Sequence, residues 1–326
     1  MMKRREFIAL LGSTAVAWPL AALAQQPAGK VWRVAYLHPG FLDIPTEIRL
    51  FDIFRAEMRQ FGYIEGKNLV IDSRGAEGKA DRLPSLASEL VALRPDVIVA
   101  IATPAIAAAQ RATSTIPIVM CPSTDPIGSG FIKSLAHPEG NITGIANMYG
   151  DAIGKSVELL HTILPTATRV AVLMSSNPTH PRQYELAEAA IKTLGLAAVP
   201  FLAPTPADLE QTFDRMAQEK CDALFVLADP IRPTIVLLAA KAKIPAIYQF
   251  AAFVETGGLA SYGASLSPMF RKAAVYVDKI FKGANPAELP VEQPVVFDLA
   301  LNLKTAAALG LTIPDTVIAR ADQVIE

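Results

Sequence analysis

Residues 253–303 read FVETGGLASYGASLSPMFRKAAVYVDKIFKGANPAELPVEQPVVFDLALNL, and the stretch changes character several times within about fifty residues. Residues 255–258 are turn chemistry, with Gly257 and Gly258 free to take positive φ. Residues 259–262 read as a short strand that Gly263 breaks. Ser265 or Ser267 can cap a helix with Pro268 in its first turn, and Phe270, Ala274, Val277, Ile280 and Phe281 recur at three- and four-residue spacing. Gly283 stops that helix, a Pro-containing linker follows, and residues 295–301 read as another strand. A helix set between two strands by turn-rich linkers is the pattern of a chain that leaves one lobe, visits another and returns.

Outward from this stretch the chain alternates strands and helices, as a parallel sheet covered on both faces requires. Strands are expected at residues 31–37, 69–73, 97–102 and 117–120, with helices at 46–61, 84–93 and 103–111. The pattern then restarts. Arg33-Val34-Ala35-Tyr36-Leu37 is echoed by Arg169-Val170-Ala171-Val172-Leu173, the run opening at Asp96 by the run opening at Asp222, and Ile116-Pro117-Ile118 by Ile244-Pro245-Ala246. The offsets are 136, 126 and 128 residues, so three landmarks recur in order at nearly constant spacing. The expected fold is α/β, two Rossmann-like lobes with parallel sheets joined by several hinge crossings. One lobe takes residues 31–146 and 263–290, the other 147–262 and 291–326. Ligands of open parallel sheets lie beyond the carboxyl ends of the strands, so the loops there should face a cleft between the lobes.

Three segments, GGLASYG, FRKAAVYVDKIFKGANPAELPVEQP and NLKTAAALGLTIPDTVIARADQVIE, together resemble the C-terminal signature of bacterial ABC-transporter substrate-binding proteins of the tryptophan/tyrosine-binding type. The resemblance implies a periplasmic binding protein of type I fold and a solute receptor, not an enzyme. It also implies a small-molecule ligand, an amino acid or an aromatic or other small carboxylate, held between the lobes by polar groups from these loops. The partner would be an ABC permease in the inner membrane, the receptor a monomer, and no cofactor is called for.

The N-terminus reads as an address. Lys3, Arg4 and Arg5 precede a mostly apolar run over residues 7–23, and Ala22-Leu23-Ala24 is a small-x-small cleavage site, so the expected compartment is the periplasm with residues 1–24 removed. The order K-R-R-E-F-I resembles a twin-arginine signal, with an ordinary Sec signal as the alternative. About 302 residues remain, enough for two domains with substantial cores. They carry 27 basic and 30 acidic side chains, which is no nucleic-acid footprint. Cys121 and Cys221 flank strands in different lobes and are expected to be free thiols.

The loops after the strands supply His38, Thr103, Ser123, Thr124 and Asp125 from the first lobe. Ser175, Ser176, Asn177, Asp229, Tyr248 and Tyr262 come from the second. Thr103, before Pro104 at a helix start, either caps its helix or offers a carboxylate its hydroxyl beside free backbone N–H groups. Asp125 and Asp229, each before a proline, are either turn carboxylates or acceptors for a ligand ammonium or hydroxyl. Asn177 is either a turn-former or a ligand contact. Tyr248 and Tyr262 either stack on a planar ligand or belong to core and rim.

Catalytic patterns are poor. GDAIGKS at 150–156 has a phosphate-loop spacer one residue short, Gly128-Ser129-Gly130 lacks the dinucleotide spacing, and no G-x-S-x-G elbow occurs. His38, His137, His161 and His180 lie far apart in the sequence. An exported hydrolase or a sensor module using the same cleft stands as the competing reading. Replacing Arg4 and Arg5 together by Lys should leave precursor inside the cell when fractions are immunoblotted; normal export of the double variant would assign the segment to the Sec route.

Overall fold

The computed structural model describes residues 29–147, 149–229, 233–294 and 296–326, and the expected export segment lies outside them. The first lobe opens with β1 (Trp32–His38), α1 (Pro45–Gln60), β2 (Leu69–Gly75) and α2 (Leu83–Ala92). It continues through β3 (Val97–Ala100), α3 (Ala102–Ala112), β4 (Ile118–Thr124) and β5 (Ile142–Asn147). The second lobe begins with α4 (Tyr149–Ile163), β6 (Arg169–Met174), α5 (His180–Thr193), β7 (Ala197–Leu202), α6 (Leu209–Gln218) and β8 (Ala223–Val226). Then come α7 (Pro233–Ala242), β9 (Ala246–Tyr248), α8 (Ala251–Glu255) and β10 (Ala260–Ala264). After α9 (Leu266–Phe281) the chain ends in β11 (Phe297–Asn302), α10 (Leu303–Ala308), α11 (Asp315–Ile318) and β12 (Gln323–Ile325).

Two sheets result, ordered β2-β1-β3-β4-β5 and β12-β11-β10-β9-β8-β6-β7. The first is wholly parallel. Its central strands are apolar throughout, Val97 to Ala100 all being buried, because helices cover both faces. On one face α1 presents Leu50, Phe54 and Met58 at four-residue spacing. The space beside α1 is filled by α9, whose Phe270, Ala274, Val277, Ile280 and Phe281 are all buried in the first lobe's core. Phe281 stacks on Trp32 of β1 at 4.1 Å between ring centres. The late helix therefore belongs to the first lobe, and the strands on either side of it belong to the second.

That arrangement dictates the one departure from a parallel sheet. β10 runs out toward the junction of the lobes and β11 returns from it, so the two pair antiparallel, Ala260 opposite Leu301 and Ala264 opposite Phe297. The strand expected at 295–301 is present, with its direction reversed relative to its neighbour β10. Both later crossings fall somewhat beyond the boundaries expected at 263 and 291. Gly263 and Ala264 still pair in the second sheet, while Val291 and Glu292 still bond to Leu135, Gly144 and Ala146 of the first lobe. Nor does Gly263 break its strand: it lies inside β10 because a Cβ there would stand 1.9 Å from the carbonyl oxygen of Gln249. Ser265 occupies the N-cap of α9 without a side-chain capping bond. β4 outlasts the expected residues 117–120 and reaches Thr124 through an irregularity between Met120 and Ser123, where Pro122 is tolerated. Cys121 and Cys221 are free, and burial pushes both thiols up.

The lobes touch on both flanks of their cleft. Arg49 of α1 bonds Glu255 of α8 at 2.6 Å. On the other flank Gly78, at φ +77°, abuts Pro206, and a Cβ on Gly78 would come within 2.8 Å of the proline ring. The structure is thus a closed form. Gly78→Val should hold the lobes apart: the radius of gyration by small-angle scattering should stay at its ligand-free value when ligand is added, and affinity should fall about tenfold or more. Pro206→Gly in the same chain should restore both, while the strain of a side chain at positive φ, about 1–2 kcal/mol, stays in the melting temperature. Normal closure of Gly78→Val would remove this contact from the closing motion.

Candidate functional site

The carboxyl ends of β1, β3, β4 and β5 face those of β6, β8 and β9 across a narrow cavity of about 50 Å³. From the first lobe it is lined by His38 at the end of β1, Glu47 and Leu50 of α1, the first turn of α3, Thr124 of β4 and Asn147 of β5. The second lobe contributes Asn177, Ala228, Asp229 and Phe250, and α9 adds Leu266 and Phe270. Among the described residues no lysine or arginine lies on this wall.

Five residues anticipated from the sequence meet here: His38, Thr103, Thr124, Asn177 and Asp229. Their roles differ from a simple list of donors. Thr103 is buried, and its hydroxyl donates to the carbonyl of Thr124 at 3.3 Å while accepting the Thr124 N–H at 3.2 Å. It ties α3 to β4 while standing in the cavity lining, where α3 also offers its backbone. At its first residue, Ala102 has φ +59°, an unusual state for a residue with a Cβ. The N–H groups of that first turn have no partner within the helix.

Asn177 is held from behind. Its side-chain oxygen accepts the Thr179 N–H at 3.1 Å and the Thr179 hydroxyl at 2.9 Å. Thr179 accepts in turn from Gln183 at 2.7 Å, and Gln183 takes the Ala228 N–H at 3.3 Å. With its oxygen so engaged, Asn177 presents its amide N–H groups. His180 completes the brace: Nδ1 accepts the Ser175 N–H at 2.8 Å and Nε2 donates to the Ala228 carbonyl at 2.9 Å, the pattern of a neutral ring. This buried histidine, which in the sequence has no metal-ligand spacing, joins the loop after β6 to that after β8.

His38 is built alike. Nδ1 accepts the Gly40 N–H at 2.9 Å, so the ring proton sits on Nε2, which lies 3.1 Å from Oε2 of Glu47. The contact is close enough for charge but not aligned as a hydrogen bond, and Oε2 has no hydrogen-bond partner. Glu47, 5% exposed, stands in the first turn of α1, where the positive helix end favours its anion. Together with burial, which is the larger cause, its charge pushes up the Tyr36 hydroxyl and the Cys121 thiol.

The remaining sequence candidates stand outside the cavity wall. Ser123 is buried behind it. Asp125, exposed at φ +49°, caps the Gly128 N–H at 2.8 Å and is a turn carboxylate. Ser176 lies at the mouth, with its hydroxyl 3.4 Å from the Pro204 carbonyl. Ser175 accepts the Asn177 N–H at 3.1 Å and serves the same loop. Tyr248 is fully buried and stacked on Phe253, a core residue. Tyr262 stacks on Phe297 beside the second lobe's core. Residues missed from sequence include Glu47, Asn147, Phe250 and Phe270. Glu47 and Phe270 sit within helices, where helical spacing reads as surface or core, and Asn147 closes a strand already accounted for by its apolar run.

Residues 42–325 match the family described as ABC transporter substrate binding protein. The chain belongs to that family. This substrate-binding protein is 29% identical to the tyrosine-binding protein of Clostridioides difficile strain R20291 over 255 residues, 77% of its own length and 73% of the relative's. Among solved structures, the ABC domain from Streptococcus pneumonia in complex with L-Trp matches at 29% identity and a TM-score of 0.82, covering 90% of this chain and 99% of that one. The ligand-free, open structure of a substrate-binding protein with adhesive properties from Clostridium difficile covers the same 90% of this chain, and 99% of its own, at 25% identity with a TM-score of only 0.61. The poorer match to the open structure accords with the contacts between the lobes on both flanks of the cleft. The family's members are non-catalytic, extracytoplasmic solute-binding components of ABC importers, and this chain is one of them.

Thr103→Val, which strips two bonds from the Thr124 backbone and leaves its buried groups unpaired, should lower unfolding stability by about 1–3 kcal/mol in denaturant titration. An unchanged midpoint would remove Thr103 from the α3–β4 tie.

Proposed function

We propose that this receptor binds an amino acid or another small carboxylate, its carboxylate placed at the start of α3. The observation that carries the reading is the α3 N-terminus opening into the cavity: the N–H groups that the helix itself cannot pair and its partial positive charge attract an anion where, among the described residues, the lining has no basic side chain. Asn177, its oxygen committed elsewhere, adds N–H donors from the opposite lobe. Such a carboxylate touches both lobes and so favours closure. Phe250, Leu266 and Phe270 supply apolar wall for the rest of the ligand. The L-Trp of one relative and the tyrosine-binding name of another support the class.

Function then follows as a cycle. Exported to the periplasm and cut after Ala24, the protein acts as a monomer; ligand closes the lobes, and the closed pair of lobes is the surface that a membrane permease receives. A thermal-shift screen of amino acids, aromatic acids and sugars tests the class. A true ligand at a hundred times its dissociation constant adds about 2.7 kcal/mol. Its methyl ester, having lost one anionic oxygen, should bind about tenfold or more weakly by calorimetry. An ester as tight as the acid, or a sugar as the tightest solute, would overturn the carboxylate placement.

A further inference from the structure

The cavity wall carries two acceptors without a hydrogen-bond partner among the described residues. Glu47 Oε2 is buried without a hydrogen bond, and so is the side-chain oxygen of Asn147, a residue 8% exposed. Both line the same cavity, Glu47 from α1 and Asn147 from the end of β5. An ionised carboxylate out of water is costly unless a cation or several donors meet it. Among the described residues His38 is the one basic group against Glu47, and the Gly40 N–H on its Nδ1 keeps that ring neutral. No lysine or arginine among the described residues lines the cavity to take the charge. A cation with more than one N–H, small enough to enter with the ligand, would meet the charge and both acceptors at once.

We infer that Glu47 and Asn147 form a subsite for a primary ammonium group of the ligand. Resting on the solute-receptor reading, this narrows the ligand class: the receptor selects zwitterions and amines and rejects plain carboxylates of the same shape. The donors at the start of α3 and on Asn177 take the anionic end; the two orphan acceptors take the cationic end. A carboxylate without an amine would leave Glu47 buried, charged and unmatched, with a second anion brought into the same cavity. The ammonium removes that penalty only in the closed form, where water no longer reaches the carboxylate.

The test is calorimetry on the exported protein with the twenty standard amino acids, a set of plain carboxylates and a set of sugars. For the amino acid that binds most tightly, its deaminated acid and its decarboxylated amine follow. The deaminated acid should bind more weakly by on the order of thirty-fold, and the amine should retain measurable binding. Glu47→Gln should cost the amino acid a similar factor while leaving the melting temperature of the ligand-free protein unchanged or raised, because a buried unmatched charge is gone. Asn147→Asp, which keeps an acceptor, should preserve amino-acid binding. A deaminated acid as tight as its amino acid, or a plain carboxylate or sugar preferred over every amino acid, would overturn the ammonium subsite and leave the receptor standing. Glu47→Gln with unaltered affinity, or with affinity and melting temperature both lowered, would overturn it as well, the latter marking a structural carboxylate. Binding of no solute from any set would sink the receptor reading itself, and the subsite with it.

Discussion

Everything in this molecule follows from where α9 buries its apolar face. Phe270, Ala274, Val277 and Phe281 leave water only against the first sheet, beside α1, although the strands before and after them belong to the second. At roughly 1.5–3 kcal/mol for each large side chain buried, the docking of this helix outweighs the cost of ordering two extra linkers. The chain must then cross between lobes at β5–α4, at Ser265 and again before β11. Three parallel tethers at one edge restrict the lobes to rotation about that edge, and the strand ends are left facing each other. The reversed direction of β11 is the same fact seen in the second sheet, since a chain returning from the hinge can enter only from the side on which β10 left.

The cleft so formed is lined by backbone and side chains with complementary deficits. α3 arrives with N–H groups that its own geometry cannot satisfy, and Asn177 is turned donor-side forward by Thr179, Gln183 and their link to Ala228. Against these stand acceptors, Glu47 foremost. Two neutral histidines, His38 and His180, fix the loops that carry them, each accepting a backbone N–H at Nδ1 and so each holding its proton on the other nitrogen. Their place in the site is to orient neighbours, and their spacing in sequence carries no trace of it.

Much of the fold could be read from the chain because its signals are local or repeated. The α9 spacing, the turn residues around it and the three echoed landmarks each reflect a periodicity that burial imposes. The sense of β11 was not legible, because a strand's own residues are the same whichever way its neighbour runs. Gly263 misled for a related reason: glycine breaks strands on average, yet here it admits the Gln249 carbonyl, a contact between segments fourteen residues apart. For the site, the rule that ligands meet strand ends named His38, Thr103, Thr124, Asn177 and Asp229, which do line one cavity. It also named Tyr248 and Tyr262, which pack in or beside the second lobe's core off the cavity lining, and it passed over Glu47, which lies on a helix and enters the cavity because α1 starts beside the end of β1.

Closure couples the lobe contacts to the charge balance of the cavity. Arg49 with Glu255 is a partly exposed pair, worth less than about 1 kcal/mol, and Gly78 against Pro206 is a contact of small groups. Neither is strong enough to hold the lobes shut by itself, and closing without ligand traps the Glu47 carboxylate away from water. The empty closed form is therefore held back by the same residue that a cationic group would satisfy. A ligand whose two ends match the donors of α3 and the acceptor of α1 converts that opposition into attraction. The weak flank contacts then suffice to complete the closed surface, because the term opposing it has changed sign.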